Sequence, residues 1–320
     1  MYNNIDIQTL SPNYTDKALE LWSKQFTCFC SESVIHACLI NDLKNIENYI
    51  YKKIEIGQAY GAFKGGILVG FITSNVFNFH GAPSSICHFC GNAADLSDRT
   101  SIYLAMYKEV SKLWVEKGVL SHYIGIATKD AEVKNALFQL GFGAYGPYGY
   151  AHFDKVLPHK SEYEISVAAA NDTAGLQEMI NESVDYLANS PLYLKDALSI
   201  DEAARAINEN RILLAKDKGE IVGFMTTSIA DSDNIYAMYT KGCLLTGAPG
   251  TYIKEAYRNK GIGSHFISEV SRFCIQNNIP YAHVAWESAN IYGNRFWPKY
   301  FTPTLLGMKR VISPDIIDRC

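Results

Sequence analysis

Hydrophobic and polar positions along this chain follow a pattern that occurs twice in the same order. The run Gly66-Ile67-Leu68-Val69-Gly70-Phe71-Ile72-Thr73 parallels Gly219-Glu220-Ile221-Val222-Gly223-Phe224-Met225-Thr226, 153 positions later. A turn-like segment precedes each run, Phe63-Lys64-Gly65 or Lys216-Asp217-Lys218, so each reads as the returning strand of a hairpin. Leu137-Phe138-Gln139-Leu140-Gly141-Phe142 likewise parallels Phe296-Trp297-Pro298-Lys299-Tyr300-Phe301, 159 positions on. Ile5-Asp6-Ile7 and the amphipathic stretch to Phe26 match Tyr163-Glu164-Ile165 and the stretch to Tyr186. Three ordered matches predict two domains, 1–156 and 161–320, joined near Val156-Leu157-Pro158-His159-Lys160. The pattern gives each a strand, one or two helices, a hairpin, a further strand and helix, another strand and a last helix.

One segment of the second half carries chemistry. Gly250-Thr251-Tyr252-Ile253-Lys254 is β-branched and aromatic and suits a strand, while Phe266, Ile267, Val270, Phe273 and Cys274 recur on one helical face. Between them lies Arg258-Asn259-Lys260-Gly261-Ile262-Gly263. Glycines at a strand-to-helix turn let a bulky anion approach the backbone, and the first helical amides point at it from the positive end of the helix. Ser264 is placed to help cap that helix. The spacing is neither G-x-G-x-x-G nor a Walker A motif, which argues against a dinucleotide-dependent oxidoreductase and a P-loop enzyme.

R-x-x-G-x-G after a strand resembles the coenzyme A loop of the GNAT acetyltransferase superfamily. A second signature follows at a matching distance: the strand-like run 279–286, then Asn290, Gly293, Phe296, Trp297 and Phe301, with Tyr300-Phe301 in place of the closing Gly-Phe. The resemblance covers roughly residues 162–314 well and the first half only in outline. It implies an α/β protein of the α+β type, two tandem GNAT-like domains, each a mixed, mostly antiparallel sheet flanked by helices. It also implies acetyl-CoA as cosubstrate and no metal. By the same resemblance Tyr252, Ile253 and Lys254 border the ligand on the strand, and Arg258, Asn259, Lys260, Gly261, Ile262, Gly263 and Ser264 hold its diphosphate. Asn290, Phe296 and Trp297 flank the pantetheine chain.

Acyl transfer to an amine makes three demands. A base must take a proton from the ammonium, an effect worth roughly 10²–10⁴-fold. A backbone amide, from Ile253 or Tyr252 by resemblance, must meet the developing oxyanion. The departing thiolate then takes a proton. Glu287, at the end of the strand before Asn290, is the first candidate base; His283 is the second, and Asp231 and Asp233 are weaker. The family's tyrosine acid is replaced by Trp297, whose indole is no substitute for a phenol, so Tyr300 or Tyr292 takes that role. Counting back about 160 positions from the glycine loop lands on Ser101 and Tyr103 in a helical pattern, and on Ala131 opposite Asn290. The first half is therefore expected to be degenerate and to support the second.

Composition narrows this picture without changing it. With 320 residues, 48% hydrophobic, 19% charged and a net charge of −4, the chain is expected to be globular. That charge gives no electrostatic ground for nucleic acid or an anionic membrane as partner, and no apolar run reaches the roughly 18 residues of a membrane span. The start of the chain lacks signal-peptide character, so a cytoplasmic location is expected. Eight cysteines in such a chain are not expected to pair. Cys28, Cys30, Cys87 and Cys90, with His36 or His88, have the makings of a zinc quartet but lack a glycine knuckle. The segments that would read the acceptor, including the tail with Tyr145, Tyr148 and Tyr150, hold no recognisable motif. The leading reading is an acyl-CoA-dependent N-acyltransferase acting on a small-molecule or peptide amine. The alternative is a coenzyme A-binding regulatory or scaffold protein with little turnover. Nothing in the pattern sets an oligomeric state.

Overall fold

A computed structural model describes residues 4–39, 42–79, 81–194, 202–229, 239–240, 244–245, 249–279 and 281–319. The first half runs through β1 (Asp6–Thr9), α1 (Thr15–Cys30), α2 (Val34–Leu39), α3 (Lys44–Glu55), β2 (Ala59–Lys64) and β3 (Ile67–Thr73). It continues with β4 (Val76–Phe79), β5 (Ala82–Cys87), β6 (Asn92–Ala94), α4 (Arg99–Glu116), β7 (Ser121–Ala127), α5 (Ala131–Gln139) and β8 (Gly143–His152). The second half begins with β9 (Glu164–Val167), α6 (Thr173–Ala188), α7 (Glu202–Glu209), β10 (Arg211–Asp217) and β11 (Glu220–Ile229). It ends with β12 (Leu244–Leu245), β13 (Thr251–Ile253), α8 (Ile262–Gln276), β14 (Tyr281–Ala285), α9 (Ile291–Phe296) and β15 (Thr302–Val311).

The repeat seen in the sequence extends to register. In both hairpins the pairing shifts after an alanine, between Ala62 and Phe63 in one and between Ala215 and Lys216 in the other. Gly70 stands opposite Ala94 and Phe71 opposite Ala93, as Gly223 stands opposite Ile253 and Phe224 opposite Tyr252. The sheets are mixed and mostly antiparallel; β5 with β7 and β12 with β14 are the parallel pairs given by register.

Packing divides the chain differently from the repeat. One compact unit comprises Met1–Tyr148 and Pro303–Cys320, the other Gly149–Thr302. The halves 1–156 and 161–320 are thus units of sequence repetition and not of packing. Within the first unit β7 pairs antiparallel with β15, from Leu305 opposite Ala127 to Val311 opposite Ser121. Leu306 and Met308 of β15 join a core with Ile124, Ile126, Met106 and Trp114. The last four residues of β8 belong to the second unit, where Ala151 joins the core beneath α8.

In the second unit alternate residues of β10 serve two cores, as a strand's period of two requires. Ile212 and Leu214 face Leu176, Ile180 and Ala203 of α6 and α7. Leu213 and Ala215 face Phe266, Ile267, Val270 and Cys274 of α8. Each large side chain buried so contributes about 1.5–3 kcal/mol. These layers fix α8 against the sheet and so place its N-terminal turn. Among the described residues no helix is long and apolar enough to cross a membrane.

Candidate active site

The site is built from a gap between two strands of the second unit. β11 pairs with β13 along Gly223–Met225 and with β12 at Ser228 and Ile229, and only β12 pairs onward to β14. The other edge of β13 has no strand partner among the described residues. Hydrogen bonding decides which groups face that open edge. Lys254 donates its amide to the Val222 carbonyl (3.0 Å) and Thr226 donates to Gly250 (2.9 Å). Antiparallel pairs alternate, so Gly250, Tyr252 and Lys254 are bonded to β11, and the N–H and C=O of Ile253 point into the gap. Of the two strand residues expected to supply an amide, Ile253 is the one so oriented.

Beyond β13 the chain makes a 3₁₀ turn at Glu255–Tyr257, then passes Asn259 and Gly261 at φ +62° and +84° before α8 begins. Gly261 is the N-cap, and no side chain caps the turn. The amides of Ile262, Gly263 and Ser264 therefore keep the free donors that every helix start presents. A Cβ on Gly261 would have room, with Ser161 Cβ 3.6 Å away, so its need for glycine lies in the left-handed φ. At Gly263 the need is space: a Cβ would sit 2.9 Å from the Phe296 ring. Ser264, expected as a cap, instead accepts a hydrogen bond from the Tyr300 hydroxyl at 2.7 Å. Lys260 is exposed, its ammonium 5.1 Å from the Tyr257 ring centre.

Arg258 has an unexpected setting. Its Nε donates to the Ile253 carbonyl at 3.0 Å, and its guanidinium lies 4.7, 4.9 and 5.7 Å from the rings of Tyr186, Tyr292 and Tyr252. Burial pushes the Tyr186 and Tyr252 phenols up, partly offset by the Arg258 charge. Lys254 pairs with Glu182 at 3.3 Å. Tyr186, supplied by α6, carried no motif and was not legible as a site residue.

The second signature is partly structural. Asn290 caps α9, its side-chain oxygen accepting from the Gly293 amide at 2.9 Å. A Cβ on Gly293 would be crowded, 3.1 Å from Asn290 and 3.3 Å from Trp286. Trp297 is buried in the core with Phe301 and Phe266, while Phe296 is half-buried against that core. Tyr292 is exposed and covers Arg258. Glu287 is half-buried, two residues past β14, and its carbonyl accepts from the Asn290 amide at 2.9 Å. His283 is 3% exposed and burial pushes its pKa down to about 3, which makes it a core side chain and a poor base. Asp231 and Asp233 lie outside the described residues.

The connector Leu157–Ser161, read only as a join, lies along α8. Ser268 donates to the Leu157 carbonyl (2.5 Å), Ser271 accepts from its amide (3.0 Å), and Ser161 donates to His265 Nδ1 (3.1 Å). Burial lowers the His265 pKa, consistent with a neutral, accepting ring.

The corresponding connection in the first half is shorter. Four residues, Asp95–Asp98, join β6 to α4, whereas eight, Lys254–Gly261, join β13 to α8. Matching the helix starts places Asp98 and Thr100 opposite Gly261 and Gly263, correcting the assignment of Ser101 and Tyr103. Tyr103 is a core residue whose hydroxyl donates to Asn92 at 2.5 Å. Asp130 caps α5 as Asn290 caps α9, which corrects Ala131, and its carboxylate pairs with the buried Arg99. Burial raises the Cys30 thiol to about 12 and Cys87 to about 11. Among the described residues no group of three His, Cys, Asp or Glu is placed to hold a metal.

The acetyltransferase (GNAT) family profile matches residues 177–301, inside the second unit. A GCN5-related N-acetyltransferase from Sphaerobacter thermophilus is similar over 97% of this chain and 96% of its own, with a TM-score of 0.63 and 11% identity. A GCN5-related glucosamine N-acetyltransferase region of a fungal multi-domain GH3 β-N-acetylglucosaminidase is similar over 95% of this chain and 38% of that one (TM-score 0.54, 10% identity). A tandem GNAT protein from the clavulanic acid biosynthesis pathway is similar over 96% and 98% (TM-score 0.50, 11% identity). At these identities the likeness is one of fold. No curated protein sequence matches the chain. Residues 177–301 thus carry the match to the acetyltransferase (GNAT) family, and the chain as a whole shares the fold of tandem GNAT proteins.

Proposed function

We propose that the second unit binds acetyl-CoA and transfers its acetyl group to a primary amine by direct attack in a ternary complex. The observation that carries this reading is the uncapped turn at Gly261–Ser264 beside the open edge of β13. The free amides of Ile262, Gly263 and Ser264 hold the diphosphate, helped by the charge of Lys260. Ile253 N–H donates to the thioester oxygen as it gains charge. Asn290 shapes the channel by fixing the start of α9, Phe296 packs beside the pantetheine, and Trp297 backs it from the core. Glu287 takes the proton of the attacking amine. The carbon–nitrogen bond forms as the carbon–sulfur bond breaks, and Tyr300, next to the first turn of α8, returns a proton to the thiolate; Tyr292 is the second choice. In this reading the first unit binds no coenzyme A. A coenzyme A-binding protein with little turnover is the second reading, favoured by the burial of Trp297 where the family has a phenol.

Isothermal titration with acetyl-CoA tests the assignment. One site per chain is expected, abolished in the double variant Gly261→Asp, Gly263→Asp, where carboxylates meet the diphosphate. Two sites would return the cradle to the first unit, and no binding in the wild type would overturn the reading. Thiol release with an amine panel then separates the two functional readings.

A further inference from the structure

Within that reading of the second unit, we infer that Arg258 binds the carboxylate of the acceptor, and that the acceptor is an α-amino acid. The guanidinium is tied by Nε to the Ile253 carbonyl, on the edge of β13 from which the Ile253 N–H also points. It therefore lies next to the amide that meets the thioester. An α-amino acid carries its carboxylate only two bonds from its amine, so one arginine beside the reacting centre reaches it, whereas a longer spacing would overshoot.

The surroundings of Arg258 direct its remaining donors. Rings of Tyr186, Tyr292 and Tyr252, from α6, α9 and β13, lie within cation–π range. They offset its charge, the Tyr252 hydroxyl accepts one hydrogen bond from the guanidinium, and together they hold the long side chain in one place. What stays available is the edge of the guanidinium, whose two terminal nitrogens match a carboxylate in a paired geometry. Among the described residues no carboxylate forms an ion pair with Arg258, and the neighbouring Glu182 is taken by Lys254 at 3.3 Å. A fixed arginine without a carboxylate partner, beside the open edge, is a specificity device.

The test is thiol release by the full chain with acetyl-CoA and two matched acceptor series, the α-amino acids and their amides. The best amino acid is expected to exceed its amide about tenfold or more in kcat/KM, the scale of a charged hydrogen-bonded pair. Arg258→Gln should erase that preference through KM, with the acetyl-CoA dissociation constant changed less than about threefold. Tyr186→Leu, which removes one wall and leaves the charge, should raise KM for the amino acid and leave KM for the amide unchanged. Equal use of acids and amides overturns the inference, as does acetylation of neither series by a protein that binds acetyl-CoA. So does an Arg258→Gln protein that loses acetyl-CoA affinity tenfold while keeping the preference, because the arginine then serves the diphosphate. If the wild type fails to bind acetyl-CoA, the proposed function has failed first, and that titration reports it separately.

Discussion

His122 is fully buried in the first unit, its Nδ1 2.8 Å from the Tyr107 hydroxyl and its Nε2 2.9 Å from the Val119 carbonyl. The carbonyl can only accept, so Nε2 carries the proton and Nδ1 accepts from Tyr107. Protonating Nδ1 would place a charge in the core and break that acceptance, and burial pushes the pKa down to about 4. An unfolded histidine titrates near 6.5, so between about pH 6.5 and 4 the unfolded chain binds the extra proton. The folded-state pKa is depressed, hence the stability is complete above about pH 6.5 and is lost as pH falls through this window. One such group costs about 2 kcal/mol between pH 7 and pH 5. Urea denaturation at the two pH values should show that loss, and His122→Gln, though less stable at pH 7, should lose correspondingly less on acidification. An unchanged pH dependence in the variant would rule the residue out. His283 poses the same situation in the second unit and shows why burial was hard to read. Strand alternation put it on one face with Ala285 and Glu287, away from the α8 core, but there the Tyr150 ring packs against it with ring centres 5.0 Å apart.

At the scale of elements, the decisive difference between the repeats is four residues of loop. The hairpins were legible because a hydrophobic run and its turn are local signals, and even the register shift after Ala62 and Ala215 is shared. Loop length was not legible in the first half: the offset between repeats drifts, and a helical pattern such as Ile102, Met106, Val110 does not mark its own first turn. Asp98 was therefore missed as the counterpart of Gly261, and Ser101 and Tyr103 were named instead. The glycine turn before α8 was legible because glycines between a strand and a helix have a steric meaning. The setting of Arg258 among three tyrosines was not, since Tyr186, Tyr252 and Tyr292 are far apart in sequence. If the longer loop carries the ligand, replacing Lys254–Gly261 by Asp95–Asp98 should abolish the heat of acetyl-CoA binding. Loop closure depends only weakly on length, so the cost in stability should stay near 1–2 kcal/mol, mostly from lost helix-start and arginine contacts. Retained binding in a folded loop variant would move the site elsewhere on the domain.

For the whole molecule, the repeat and the packing disagree, and the disagreement can be tested. The repeat boundary is written in local pattern. Which strand pairs with which is a long-range matter that a strand's own residues do not announce, and neither β8, read as a tyrosine-rich tail, nor β15 was anticipated. β15 ends the second half of the chain but completes the first unit, pairing with β7 and contributing Leu306 and Met308 to its core. Gly149–His152, from the end of the first half, belongs to the second unit, and Ala151 and Phe153 lie in the core beneath α8. A fragment 1–156 therefore exposes the β7 edge along seven residues and loses two core side chains. A fragment 161–320 lacks Ala151 and Phe153 and carries β15 without its partner. Each buried large side chain is worth about 1.5–3 kcal/mol, against a net stability of 5–15 kcal/mol for typical domains, and an unpaired apolar edge promotes association. Neither fragment should give a cooperative thermal transition alone, whereas the two expressed together should recover one and bind acetyl-CoA. A cooperatively folding fragment 161–320 that binds acetyl-CoA with the affinity of the full chain would show the opposite. The sequence halves would then be the folding units, with the exchanged strands contributing little to either core.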